Sequence, residues 1–205
     1  GYDDIIVGAG PGGGPRVTIF SGLNGSVLQD FFAFESTFTG GVNLAAGLIN
    51  ADANYDIIIG AGAGGGPRVQ VFSGANLSVI ADFFAYDSSF LGGVFVSAGN
   101  VGGGALDKII VGAGSGGGPN VRVFDGNANM LQNFFAYAST FTGGVRVAAG
   151  LMSPTSTSAD IITGAGVSGG PNVSAFNSLS QPYSLNFFAY DPSFVGGIYV
   201  AGRAS

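Results

Sequence analysis

The chain has 205 residues, 46% of them hydrophobic and only 9% charged, with a formal net charge of −6. Its cations, five Arg and one Lys, form no basic stripe that could neutralise phosphates, which argues against a nucleic-acid partner. Cys and His are both absent, so disulfides and thiolate metal sites are excluded.

No apolar run approaches the roughly 18 to 20 residues of a membrane-spanning helix, because Gly and polar residues interrupt every apolar stretch. No transmembrane segment is expected. The apolar residues belong instead in strands covered on both faces. No signal peptide or lipid anchor is visible, as for a mature or excised chain.

In chain order, Ile5-Ile6-Val7 is a short β-branched run, read as a buried strand B. The glycine loop Gly8 to Gly14 follows, and Pro15 restarts an extended segment, strand C, from Arg16 to Phe20. Ser21 to Gly25 has hairpin-turn chemistry, and Val27 to Phe34 is strand D, with Phe31-Phe32 expected in the core. Phe38-Thr39-Gly40-Gly41 then turns the chain into strand A, Val42 to Ala46. The glycine loop recurs from Gly60, Gly112 and Gly164, each copy starting 52 residues after the one before. A period of that size marks a repeat architecture with one supersecondary unit per repeat.

Four short strands per repeat read as one blade of a β-propeller. The expected fold is all-β, with four four-stranded blades in one domain over 1–205. Repeats run approximately 1–41, 42–93, 94–144 and 145–197. The last strand, 198–202, is expected to complete the first blade and so close the ring without a free edge. The other arrangements are a piece of a longer array, or two chains joined as eight blades.

Phe38 with Gly40-Gly41, and its counterparts at Phe90, Phe141 and Phe194, precede strand A; Gly8-Ala9-Gly10-Pro11 and its counterparts end strand B. In this pattern the chain resembles the FG-GAP repeat of integrin α-subunit propellers and bacterial surface proteins. The resemblance implies calcium loops between strands A and B and a role at the cell surface. It usually comes with seven blades, and here the loops are eroded. The Leu48 to Asp56 loop keeps Asn50, Asp52 and Asp56 as candidate calcium ligands; calcium wants six to eight oxygens. The third copy ends in Lys108, and the fourth, from Ser153 to Ser158, is Ser/Thr/Pro-rich.

Two sets of equivalent positions are candidate ligand sites. Arg16, Arg68, Asn120 and Asn172 stand where the glycine loop enters strand C, and could ring a carboxylate or hydroxyl-rich ligand. Within strand A, one position holds Asn43, Phe95, Arg146 and Tyr199 in turn while its neighbours hardly vary. An aromatic face with hydrogen-bond donors suits an oligosaccharide. The glycines of Gly8-x-Gly10-x-x-Gly13 match a dinucleotide fingerprint, but a proline and a strand follow where a helix is required. Asn24, Asn76 and Asn172 open glycosylation sequons.

The expected function is a non-enzymatic extracellular or cell-surface binding or adhesion module, carbohydrate-binding, with a glycan or an extracellular protein as partner. The alternative is a structural surface or filament protein that self-associates, since so low a charge is unusual for a soluble monomer. A hydrolase is disfavoured: strand A offers no carboxylate pair, and the only Glu is Glu35.

Overall fold

The structure is a computed structural model that describes residues 2–152, 157–177 and 181–202. Among the described residues, fifteen strands form four antiparallel sheets and there is no helix. Sheet I holds β1 (Ile5–Gly8), β2 (Arg16–Phe20) and β3 (Val27–Phe32). Sheet II holds β4 (Val42–Gly47), β5 (Asp56–Ala61), β6 (Arg68–Phe72) and β7 (Val79–Phe84). Sheet III holds β8 (Val94–Gly99), β9 (Lys108–Ala113), β10 (Asn120–Phe124) and β11 (Met130–Phe135). Sheet IV holds β12 (Val145–Gly150), β13 (Asp160–Ala165), β14 (Asn172–Phe176) and β15 (Pro182–Phe188). Within each sheet the strands pair in chain order.

Successive sheets pack face to face, and alternation along strand B sets which face each residue serves. Ile58 of β5 faces sheet III, in one cluster with Val94, Val96, Ile109 and Val111. Its neighbours Ile57 and Ile59 face back toward sheet I, beside Val17 and Ile6. Ile110 and Ile161 meet in the same way between sheets III and IV. Each side chain buried like this contributes about 1.5–3 kcal/mol, which is why the interior strands are apolar on both faces. An aromatic pair repeats at every junction: Phe31 on Phe72 at 5.1 Å, Phe83 on Phe124 at 4.8 Å, and Phe134 on Phe176 at 4.8 Å.

Of the doublets, only Phe31, Phe83 and Phe134 pack at a junction, and Phe187, first of the fourth doublet, is 46% exposed. The second, Phe32, Phe84, Phe135 or Phe188, is more than half exposed. Neighbours on a strand point to opposite faces, so a doublet cannot bury both rings on one side.

Close approach explains the glycine at or next to the end of each strand B. A Cβ on Gly60 would lie 2.9 Å from Val96, and one on Gly164 would lie 3.0 Å from Ile198. Strand A of the following unit crosses at that point. Phe38 needs glycine too: a Cβ on Gly65 would stand 2.6 Å from its ring, and Phe90 over Gly117 repeats the contact.

The expected closure of the first blade by residues 198–202 is not made. Sheet I has three strands, β1 pairs only with β2, and 198–202 pairs with no strand. The segment docks on sheet IV instead. Ile198 N–H donates to Ala165 O at 3.0 Å, just as Val42 N–H donates to Ala9 O at 2.9 Å. It therefore occupies the position of strand A in a following unit, with its pairing edge free.

Candidate functional site

The strand A position that varies most gathers its side chains at one end of the channel between the inner strands. Asn43, Phe95 and Tyr199 line a pocket of about 390 Å³, whose rim includes backbone at Gly10, Gly40, Gly62 and Gly92. Arg146 lies behind them, 9% exposed. Its guanidinium is 5.2 Å from the Phe95 ring centre and 4.3 Å from that of Tyr199, and the two rings meet edge to face at 6.3 Å. Tyr199 is 78% exposed, so the cluster shows an aromatic face to solvent over a buried cation.

Arg146 Nη1 donates to Ala165 O at 3.3 Å, Nε is buried without a partner, and no described carboxylate pairs with the side chain. Cation–π contact with two rings is its main compensation. Asn43 Nδ2 donates to Val94 O at 2.8 Å, which fixes the amide at the pocket wall.

The other candidate set is not brought together. Arg16, Arg68, Asn120 and Asn172 begin the strand next to the outermost one, on four separate sheets, and each is bound to its outer neighbour. Arg16 Nε donates to Asp30 at 2.8 Å and Arg68 Nε to Asp82 at 2.9 Å. Asn120 donates to Asn133 at 2.8 Å and Asn172 to Asn186 at 2.7 Å. Arg68 also reaches Glu35 of sheet I at 3.1 Å. The Arg16 guanidinium holds the Asp30 carboxyl below its usual range, and Arg68 does the same to Asp82.

The Asn50, Asp52 and Asp56 loop is closed by its own N–H groups. Buried Asp56 accepts from Ile49 N at 3.1 Å and Asn50 N at 3.0 Å through one oxygen, and from Gly74 N at 3.2 Å through the other. Asn50 Oδ1 accepts from Asp52 N at 2.7 Å, and Asp52 from Asn54 N at 2.8 Å. These oxygens point at amides, and calcium needs at least six oxygens pointing at one centre. The residues do not fit the ion, and no group of three or more acidic side chains gathers among the described residues. The counterpart loop at Ser153 to Ser156 lies outside them.

The sequon residues Asn24 and Asn76 close outer hairpins, accepting from Ser26 N and Ser78 N. Sequence reasoning overlooked a second pocket of about 400 Å³ between sheets II and III. There Arg122 lies 4.8 Å from the Tyr86 ring centre, and Asn120 Oδ1 and Arg122 Nε are buried without partners. Burial pushes the Tyr86 phenol well above its usual range. The signal was present: the counterparts of Arg122 are Thr18, Gln70 and Ser174, a position as variable as the one on strand A.

No protein family and no curated protein matches the chain. Among solved structures, the Dos1 propeller is similar, with a TM-score of 0.53 at 15% identity over 87% of this chain. The chain spans 43% of that protein's length. At so low an identity the similarity shows the fold alone: the chain has a β-propeller fold.

Proposed function

We propose that this propeller is a non-enzymatic binding and adhesion module of the extracellular space or cell surface, built from four blades of the FG-GAP type. Its ligand is an oligosaccharide held at Asn43, Phe95, Arg146 and Tyr199. The exposed ring of Tyr199 over the Arg146 guanidinium carries this reading. A sugar ring stacks its C–H face on such a phenol while its hydroxyls find the Asn43 amide and the backbone of the glycine rim. The volume is within the roughly 300–1,000 Å³ range of small-ligand sites, and an apolar wall with a few fixed polar groups is their usual lining.

A glycan array followed by calorimetry on the best binder tests this. Wild type is expected to bind, and Tyr199→Ala to weaken binding about tenfold or more through the lost stacking. A wild type that binds no glycan, or Tyr199→Ala with unchanged affinity, would overturn the reading.

A further inference from the structure

The pocket between sheets II and III carries polar groups that the equivalent places on either side keep paired. Between sheets I and II the Arg68 guanidinium fills the space. It pairs with Asp82 at 2.7 Å and with Glu35 at 3.1 Å, and lies 5.5 Å from the Phe34 ring centre. Between sheets III and IV, Ala138 stands where Glu35 does, and Asn172 replaces the arginine. Asn172 donates to Asn186 at 2.7 Å, and its own side-chain oxygen accepts from Ser174 Oγ at 3.1 Å.

Sheet III departs from this pattern at two positions. Asn120 replaces Arg68, so no guanidinium reaches across from the start of β10, and Arg122 replaces Ser174. Arg122 turns to the Ala85 carbonyl, 2.8 Å away, and to the Tyr86 ring. Nothing therefore donates to Asn120 Oδ1, and Arg122 Nε has no acceptor. Asn120 is only 8% exposed, and a buried amide oxygen in that state calls for an explanation.

Asp87 completes the set. It is the counterpart of Glu35 and lines the same pocket, but no described cation pairs with it; it accepts from Ser89 N at 2.9 Å and Ser89 Oγ at 2.6 Å. No described carboxylate pairs with Arg122 either. One cation, one anion and one free acceptor thus line about 400 Å³, with Phe90 and Phe134 as apolar walls.

We propose that this pocket binds a free α-amino acid with an apolar side chain. Its ammonium group takes the place that the Arg68 guanidinium holds one junction earlier, donating to Asn120 Oδ1 and pairing with Asp87. Its carboxylate accepts from Arg122 Nε, a charge-assisted hydrogen bond. Its side chain lies against Phe90 and Phe134. A plain anion would leave Asn120 Oδ1 without a donor and add like charge beside Asp87, and a plain amine would leave Arg122 Nε without an acceptor. The volume is within the roughly 300–1,000 Å³ of small-ligand sites. No lining residue is shared with the Asn43 pocket, so the two ligands do not compete.

Calorimetry on the 205-residue chain at neutral pH, with L-leucine and L-phenylalanine, tests this. At least one should bind with a Kd below about 1 mM. For the better binder, the acid lacking the amino group and the amine lacking the carboxylate should each bind about tenfold more weakly or worse. These are 4-methylpentanoate and 3-methylbutylamine for leucine, and 3-phenylpropionate and phenethylamine for phenylalanine. Arg122→Gln, matching Gln70 of sheet II, should weaken the amino acid about tenfold and leave the amine unchanged. Asp87→Asn, at an exposed side chain, should weaken the amino acid similarly and leave the acid unchanged. Circular dichroism checks that both variants fold; if either does not, the analogue series on wild type decides alone. No binding of either amino acid, an analogue that binds as tightly, or an affinity that neither substitution moves would each overturn the proposal.

Discussion

Arg146 and Tyr199 sit face on, the guanidinium carbon 4.3 Å from the centre of the phenol ring. The cation is buried and the phenol is not, so the two residues carry different shares of stability and binding. Arg146→Ala should lower stability by about 2–3 kcal/mol, since it empties a packed position and removes two cation–π contacts. Tyr199→Ala should cost about 1 kcal/mol or less, because the ring is mostly in water already. Urea unfolding of both variants checks the order; a larger loss at Tyr199 would mean that the ring is structural rather than presented to a ligand.

The Arg68 cluster makes a pH prediction. Arg68 holds the Asp82 carboxyl below its usual range, the direct hydrogen bond being the largest cause. A carboxyl depressed in the folded state contributes stability that is fully present above its unfolded value of about 3.9. That contribution is lost as pH falls through the lower folded value. Arg68→Ala should therefore flatten the acid limb of the stability profile, with a change of about 1 kcal/mol or less because solvent screens the pair. Denaturation midpoints between neutral pH and the acid limit give the comparison, and an identical acid limb in the variant would contradict it.

The fold was legible because each repeat restates the same local rules. The β-branched run before Gly60, the proline after the glycines and the Asn76 turn each appear several times at one spacing. Individual weak signals become strong by repetition. Closure was not legible, since the sequence places Ile198 as a strand A without saying which strand B it meets. That depends on how far the stacked sheets curve. The candidate site shows the same division. Variation at one strand A position pointed to Asn43, Phe95, Arg146 and Tyr199, which do meet, because inner strands converge on one channel. Equal spacing pointed as clearly to Arg16 and its counterparts, which do not meet, because their strands lie away from the channel. Their partners, Asp30, Asp82, Asn133 and Asn186, vary in step with them and could have revealed the pairing.

Gly112 tests the close approach of one sheet to the next. Its position would bring a Cβ onto the Val145 carbonyl and to 3.0 Å from Val147. Backbone cannot swing aside as a side-chain end can, so Gly112→Ala must separate strand β9 from β12. The expected loss is about 2–3 kcal/mol, in the range of overpacked cores. Gly102→Ala is the control for handling and expression, since a Cβ there meets nothing within 4 Å, although its φ of 80° adds strain of about 1 kcal/mol. Thermal unfolding should rank Gly112→Ala well below the control, and equal midpoints would show that the sheets yield.

Asp56 separates a structural carboxylate from a metal ligand. Its oxygens accept from three backbone N–H groups, at Ile49, Asn50 and Gly74, tying the loop before β5 to the turn after β6. Asp56→Ala would leave those donors buried without acceptors, at a cost of about 1–3 kcal/mol. Asp56→Asn keeps the shape but offers one acceptor oxygen and turns an amide donor toward N–H groups, so it should recover only part of the loss. Millimolar calcium should move the thermal midpoint of neither wild type nor variant, because the carboxylate is already occupied by amides. A midpoint that rises with calcium in wild type and not in Asp56→Asn would show that the loop reopens its oxygens to the ion.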